Sequence, residues 1–199
     1  MTQLFVVPES PVQSAPRAPL AANASRLDRA WDLLHDVLDP EVPALSVIDL
    51  GIVRAVRERD DGGRTLEVDL TPTYSGCPAT EAIERSVIDA LDAAGLGPVH
   101  ARTVLSPAWT SDWISEEGLR KLREYGIAPP GRCGSHASAI PGEAVIRIVP
   151  RAAKHAPAVD CPRCGSADTE RLSAFGATAC KALYRCRACR EPFEAFKAI

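Results

Sequence analysis

Cys161-Pro162-Arg163-Cys164-Gly165 and, after twenty-one intervening residues, Cys186-Arg187-Ala188-Cys189 decide how the end of this chain folds. A two-residue gap lets two thiolates of one tight turn face a single ion. A second turn of the same kind, brought over by a hairpin, closes a tetrahedral four-sulfur site, which is the ligand spacing of a zinc ribbon. The ion must organise this module, because so short a segment cannot bury a core of its own. Iron in a rubredoxin-like site uses the same four ligands, and ligand type favours zinc. Arg163, Lys181, Arg185, Arg187 and Arg190 cluster near these cysteines, which suits the net negative charge of four thiolates on a divalent ion. Cys180 lies just before the second pair. It reads as a fifth sulfur near the metal, an exchange ligand or an inert strand residue, and four thiolates already saturate zinc.

The rest of the chain has the size of one ordinary domain: 199 residues in all, 46% hydrophobic and 25% charged, with a net charge of -3,. Nothing in that balance points to nucleic acid or an anionic membrane. No apolar run approaches the roughly 20 residues of a membrane span. The start, Met1-Thr2-Gln3-Leu4-Phe5-Val6-Val7, has no basic region and does not read as a secretory signal,. The expectation is a cytoplasmic protein whose seven cysteines stay reduced; an odd count with paired Cys-x-x-Cys turns favours metal chemistry over disulfides,.

Residues 1–24, rich in proline, alanine and serine, read as a disordered lead. Ser25 with Asp28 predicts a capped helix, on which Leu27, Ala30, Trp31, Leu34, Val37 and Leu38 share one face until Asp39-Pro40 stops it,. Strand character over residues 52–59, a turn at Asp60-Asp61-Gly62-Gly63, and the alternation of Leu66, Val68 and Leu70 with Thr65, Glu67 and Asp69 predict a hairpin,. A second helix is expected from Pro78 to Gly95 with Ile83, Val87 and Leu91 inward, then a strand over 99–105. A third helix, capped by Ser115 and closed by Gly126, follows a loop that holds Trp109 and Trp113 and leans towards a partner surface. Residues 127–143 are rich in Gly, Pro and Ser, and 144–149 have strand character. The domain plan is a compact α+β domain over 25–149, a linker over 150–160 and a ribbon over 161–199.

Cys77 is the second feature that carries chemistry. Pro78 suits a first helical position, which makes Cys77 a candidate N-cap, where free backbone N–H groups and the helix dipole favour a thiolate. A small buried residue is the plain alternative. Cys133-Gly134-Ser135-His136 has ligand spacing but only two ligands. His35 falls on the polar face of the first helix and reads as solvated, and His100 and His155 have no partner pattern.

Asp39-Pro40-Glu41, Val47-Ile48-Asp49-Leu50-Gly51 and Thr71-Pro72-Thr73-Tyr74-Ser75-Gly76-Cys77-Pro78 resemble the MIP18 family domain, formerly DUF59, which takes part in iron–sulfur protein assembly. Those strings, together with Pro107-Ala108-Trp109-Thr110-Ser111-Asp112-Trp113, Tyr125-Gly126-Ile127-Ala128-Pro129-Pro130 and Ala179-Cys180-Lys181-Ala182-Leu183-Tyr184-Arg185-Cys186, resemble the PaaD (PaaJ) family over residues 26–199. That family comprises accessory subunits of bacterial phenylacetyl-CoA epoxidase. The resemblance implies a small MIP18-like α/β domain with a C-terminal zinc ribbon, and an accessory or maturation subunit rather than a catalytic one, in aerobic phenylacetate degradation. It implies as partners the epoxidase subunits, one of them a di-iron protein, and their flavin and iron–sulfur reductase. By the same resemblance Cys77 is the candidate ligand for a transient cluster or iron, with Asp39, Glu41, Asp49 and Thr71 lining its surroundings. One departure stands out: Ala198 occupies a position that often carries cysteine in the family.

Three functions compete. A maturation factor needs Cys77 as a carrier, and because one thiolate cannot fill a cluster's ligand set, a homodimer, a partner cysteine or a small thiol has to complete it. A thiol-dependent enzyme needs a base beside Cys77, and no histidine neighbours it in sequence. A nucleic-acid-binding ribbon would exploit the local basic charge, but the remaining chain is acidic and shows no stacking platform.

Overall fold

A computed structural model describes residues 24–62, 64–131 and 159–199. The proline-rich lead, Cys133, His136, His155, the strand expected over 144–149 and most of the linker lie outside the described residues.

Helix α1, Arg26–Leu34, opens as its sequence demands. Ser25 Oγ accepts from the Asp28 N–H at 3.1 Å, and Asp28 Oδ2 accepts from the Ser25 N–H at 3.0 Å,. It ends one turn earlier than its periodicity suggests. The N–H groups of His35, Asp36 and Val37 bond three residues back, to Asp32, Leu33 and Leu34. This tighter winding still buries Val37 but leaves Leu38 half exposed, in an isolated bridge to Ser46,. The hairpin of β1, Val53–Glu58, and β2, Leu66–Leu70, forms with Val56 opposite Val68. Helix α2, Thr80–Ala93, then returns the chain so that β3, Val99–Thr103, lies parallel to β2 with Ala101 opposite Val68. The order β1-β2-β3 is a hairpin fused to a βαβ unit,. Leu66, Val68 and Leu70 meet Ile83, Val87 and Leu91 of α2 and Ala30 and Leu34 of α1 in one core.

The polar face of the sheet is closed by charge. Asp69, which the alternation puts outward, is only 8% exposed. Arg102 reaches it at 2.9 and 3.0 Å, and Arg57 at 2.7 and 3.0 Å while also pairing with Glu67.

Helix α3, Glu116–Tyr125, is capped by Ser115 and ends on Gly126 at φ 89,. Immediately afterwards the chain enters a second sheet. Strand β4, Ile127–Ala128, pairs in parallel with β7, Pro192–Phe196, which continues through β6, Lys181–Cys186, to β5, Thr169–Ser173, in the order β4-β7-β6-β5. The ribbon therefore includes two residues from a stretch that composition marks as loop.

Period-two alternation explains how the ribbon attaches. Phe193 and Ala195 share one face of β7 and pack in the ribbon's own small core, with Tyr184 stacked on Phe193 at 5.8 Å,. Phe196 points the other way, into the core of the first sheet, with its ring 6.1 Å from that of Trp109. Trp109 is 4% exposed and donates to the Leu50 carbonyl at 2.9 Å. The loop expected to offer tryptophans to a partner instead clamps the two parts of this chain together. Trp113, partly buried, lies under the Arg54 guanidinium at 3.5 Å,.

Candidate metal centre and thiol cavity

The two Cys-x-x-Cys turns meet. Cys161 Sγ lies 3.8 Å from Cys189 Sγ, Cys164 Sγ lies 3.6 Å from Cys186 Sγ, and all four sulfurs fall within 4.8 Å of one another. A tetrahedron with metal–sulfur bonds of about 2.3 Å has sulfurs about 3.8 Å apart, so the four cysteines fit a zinc ion. Each turn is built the same way. In the first, the Gly165 N–H returns to the Cys161 carbonyl at 2.8 Å with Gly165 at φ 73. In the second, the residue after the last cysteine is again left-handed, but it is Arg190, at φ 66. The Cys189 amide donates to Cys186 Sγ at 3.5 Å, and this bond leads the causes that lower the Cys186 thiol to about 7. Three of the basic side chains around the site are engaged: Arg185 and Arg187 both pair with Glu170, and Lys181 with Glu194 at 2.7 Å.

Cys180 is not part of this centre. It is 5% exposed and belongs to the core of the first sheet. Its carbonyl accepts from the Lys197 N–H at 2.9 Å, and its sulfur meets the Thr178 hydroxyl at 2.9 Å. Burial pushes its thiol up. It lines a small cavity, partly open to solvent, and Cys77 lines the same cavity.

Cys77 arrives there by a turn. Its N–H donates to the Tyr74 carbonyl at 3.1 Å, and its carbonyl accepts from the Thr80 N–H and hydroxyl at 3.2 and 2.9 Å. The helix proper starts at Thr80 with Ala79 as N-cap. The thiol thus sits in the lead-in turn and is not the cap expected from Pro78. The cavity walls are otherwise apolar, with Leu50, Ile52, Leu70, Ile83 and Phe196, and the polar side chains that join the two cysteines include Asp39 and Glu41.

Asp39 Oδ1 accepts from the N–H groups of Glu41 at 2.9 Å and Val42 at 2.7 Å, a local turn that fixes its side chain,. Burial nevertheless raises its carboxyl. Glu41 is also raised, by burial first and by Asp39 second. Tyr74 faces the same group, its phenol raised by burial and then by Cys77, Glu41 and Cys180.

Two other expected site residues lie elsewhere. Asp49 does not line the cavity. Its Oδ2 takes the Lys121 ammonium at 2.7 Å and the Ser46 N–H at 3.0 Å, and its carbonyl takes the Ser115 N–H at 2.9 Å. Burial opposes the charge, but Lys121 and Ser46 outweigh it and hold the carboxyl low. Asp49 is thus a brace from this turn to α3, and Gly51 beside it has a matching reason. It sits at φ 66, and an added Cβ would come within 2.5 Å of the Trp113 carbonyl oxygen,. Thr71 is 2% exposed at the end of β2, its N–H on the Ile52 carbonyl at 2.8 Å, behind the cavity wall. Thr73 and Thr80 line the cavity instead. Thr73 belongs to the family-like string around Cys77 and Thr80 follows it closely, but only the turn geometry separates lining residues from supporting ones.

Comparison with known proteins matches two segments of the chain. Residues 27–101 match the iron–sulfur cluster assembly protein family, and residues 148–197 match the PaaD zinc beta ribbon domain. A "Putative 1,2-phenylacetyl-CoA epoxidase" subunit of Escherichia coli (strain K12) is 45% identical over 169 residues, covering 85% of this chain and 91% of that protein. The "Fe-S protein maturation auxiliary factor SufT" of Staphylococcus aureus (strain USA300) is 35% identical over 80 residues, 40% of this chain and 88% of that one. A solved structure of a DUF59 domain from Bacillus anthracis is 22% identical, with a TM-score of 0.44 over 49% of this chain and 91% of that one. No helix among the described residues is long and apolar enough to cross a membrane. On the near end-to-end identity with the Escherichia coli protein, this chain belongs to the PaaD family of 1,2-phenylacetyl-CoA epoxidase subunits, in which an iron–sulfur cluster assembly domain is joined to a zinc ribbon.

Proposed function

We propose that this chain is the accessory subunit of a phenylacetyl-CoA epoxidase and that it hands iron or an iron–sulfur cluster to the oxygenase or to its iron–sulfur reductase. The observation that carries this reading is the cavity in which Cys77 stands with Asp39 and Glu41. These three residues lie in the part of the chain that matches the cluster-assembly family and apart from the four-cysteine centre. The donors there are sulfur and oxygen, which suit iron, and too few sulfurs to retain a cluster permanently. The cargo is a substrate of this protein: the chain's own residues bind it, keep it from water and release it. Asp39, held by two backbone N–H groups, keeps one carboxylate oxygen in place. The apolar wall limits access, and the ribbon, held rigid by zinc, keeps that wall closed.

The test is to produce the epoxidase oxygenase and its reductase together with either the wild-type chain or Cys77→Ala, and to measure iron in each purified partner. Partners produced with Cys77→Ala are expected to lack iron while the variant itself retains its zinc and its melting temperature. Fully metallated partners would refute delivery through Cys77.

A further inference from the structure

We propose that the loop joining β5 to β6 is a docking face for the protein that receives the cargo, and that its occupant is an apolar pocket of that protein rimmed by carboxylates. Phe175 and Leu172 enter the pocket, and Arg171 and Lys197 meet the rim. The inference rests on the delivery role proposed above and names the surface on which delivery takes place.

Phe175 is 66% exposed, more than any other large hydrophobic side chain among the described residues, and Leu172 is 50% exposed. On a frayed loop such exposure would say little, but this loop is held at successive positions. The Phe175 N–H donates to Ser173 Oγ at 3.1 Å, and the Gly176 N–H to the Lys181 carbonyl at 2.8 Å. The Ala177 N–H donates to Glu194 Oε1 at 2.6 Å, and the Lys197 ammonium to the Ala179 carbonyl at 2.7 Å. Gly176 is fixed by space, since an added Cβ would come within 2.5 Å of the same Glu194 oxygen. A loop already ordered loses little entropy when a partner covers it, so its exposed aromatic can act as an anchor.

Charge then selects the partner. Lys181, Arg185 and Arg187 each pair with a carboxylate, whereas Arg171 and Lys197 have no carboxylate partner among the described residues. The Lys197 ammonium lies over the Phe175 ring at 4.2 Å, so apolar surface and positive charge are presented together,. The complement is apolar surface beside carboxylates. Strand addition is the other way to dock here, since β5 is an edge of the second sheet. The register slips between Arg171 and Ser173, however, and a bulge with a charged residue on an edge opposes strand addition,. Side chains therefore carry the contact.

Position ties this face to the cargo. The loop leads into Cys180, which lines the cavity that Cys77 also lines, and the Thr178 hydroxyl meets the Cys180 sulfur at 2.9 Å. A recipient seated on the loop covers the turn that supplies one wall residue of that cavity.

The probes are the iron-free oxygenase and the iron-free reductase, each purified separately and titrated against the full chain with its ribbon filled by zinc. Wild type is expected to bind one of them. Phe175→Ser should bind that protein at least about tenfold more weakly, with zinc content and melting temperature unchanged. Replacing both cations, Arg171→Gln with Lys197→Gln, should weaken binding at low salt and flatten its salt dependence. Cys77→Ala separates this proposal from delivery: it should bind as wild type does and leave the recipient without iron, whereas Phe175→Ser should deliver iron once its concentration is raised. Equal binding of wild type and Phe175→Ser, or no binding of wild type to either probe, overturns the docking face. Delivery that still fails in Cys77→Ala would then show that the cargo role stands without it. A wild-type dimer that is lost in Phe175→Ser would assign the face to a second copy of this chain and overturn the proposal as well.

Discussion

Two sulfur-bearing regions sit in this molecule, and they differ in how completely they are filled. In the ribbon, four cysteines face one point with sulfurs 3.6 and 3.8 Å apart across the pairs, a set that saturates zinc and leaves no position for a second ligand,. In the cavity, two cysteines from distant parts of the chain share the space with two carboxylates that are raised by burial. The first arrangement is closed, as a structural metal requires. The second is mixed and sulfur-poor, which suits the transient cargo proposed above. The contrast teaches that the number of cysteines near a point does not by itself say what a metal does there; completeness of the ligand set does.

The largest effect that can break this contrast comes from removing zinc. Apparent binding free energies for structural zinc are about 10–16 kcal/mol. A chelator, or Cys186→Ser, should therefore unfold the ribbon. Because Phe196 and Cys180 belong to the first core, the melting temperature of the whole chain should fall as well. Two separate transitions in calorimetry, with the first domain unchanged, would deny the coupling. Next comes the clamp itself: Phe196→Ala, at a ring 4% exposed, is expected to cost about 3–5 kcal/mol in denaturant unfolding while leaving zinc bound. Lys121→Met strands the buried carboxylate of Asp49 and is expected to cost about 3 kcal/mol or more, with no change in metal content. Loss of iron capacity in that variant would instead give Asp49 a part in the site.

The acid limb of stability sharpens the comparison away from either sulfur-bearing region. Arg102 and then Arg57 hold Asp69 down to about 2, with Glu67 and the half-exposed His100 beside them. A depressed carboxyl contributes stability that is present above its unfolded value near 3.8 and is lost as pH falls towards 2,. Because both arginines are partly exposed, the contribution is discounted to about 1–2 kcal/mol at pH 7. Asp69→Asn should lose that amount and flatten the stability profile between those two values. The smallest effect is expected at Arg190. Its left-handed backbone repeats the position of Gly165, so Arg190→Gly should raise stability by about 0.5–1 kcal/mol.

Much of the fold was legible. The capping box at Ser25, the alternation of Leu66, Val68 and Leu70, and the glycine ends of α2 and α3 each rest on local chemistry that acts within a turn or two. The ribbon ligands were legible for the same reason, since Cys-x-x-Cys spacing fixes the geometry of one turn. What could not be read depends on distant parts of the chain. The end of α1 at Leu34 is set by packing that pulls Val37 inward. Trp109 reads as a surface anchor until Phe196 is brought against it, 87 positions later. Asp49 reads equally as a turn cap or as a site residue, and its pairing with Lys121 of α3 depends on a contact that sequence does not show. Cys180 reads as a fifth sulfur near the ribbon metal, an exchange ligand or an inert strand residue, and sequence does not say that it joins the first core and the cavity lined by Cys77. The one hint in the sequence was Phe196, a large apolar residue next to a strand face already filled by Phe193 and Ala195, which had to find a core elsewhere.

The most direct test of the central claim is the zinc, iron and sulfide content of the full chain purified without oxygen, wild type beside Cys77→Ala. The account predicts about one zinc per chain in both proteins, with iron in the wild type alone. Iron retained at the wild-type level in Cys77→Ala would contradict it, because the iron would then reside in the ribbon and the cavity would not be the place where cargo is held.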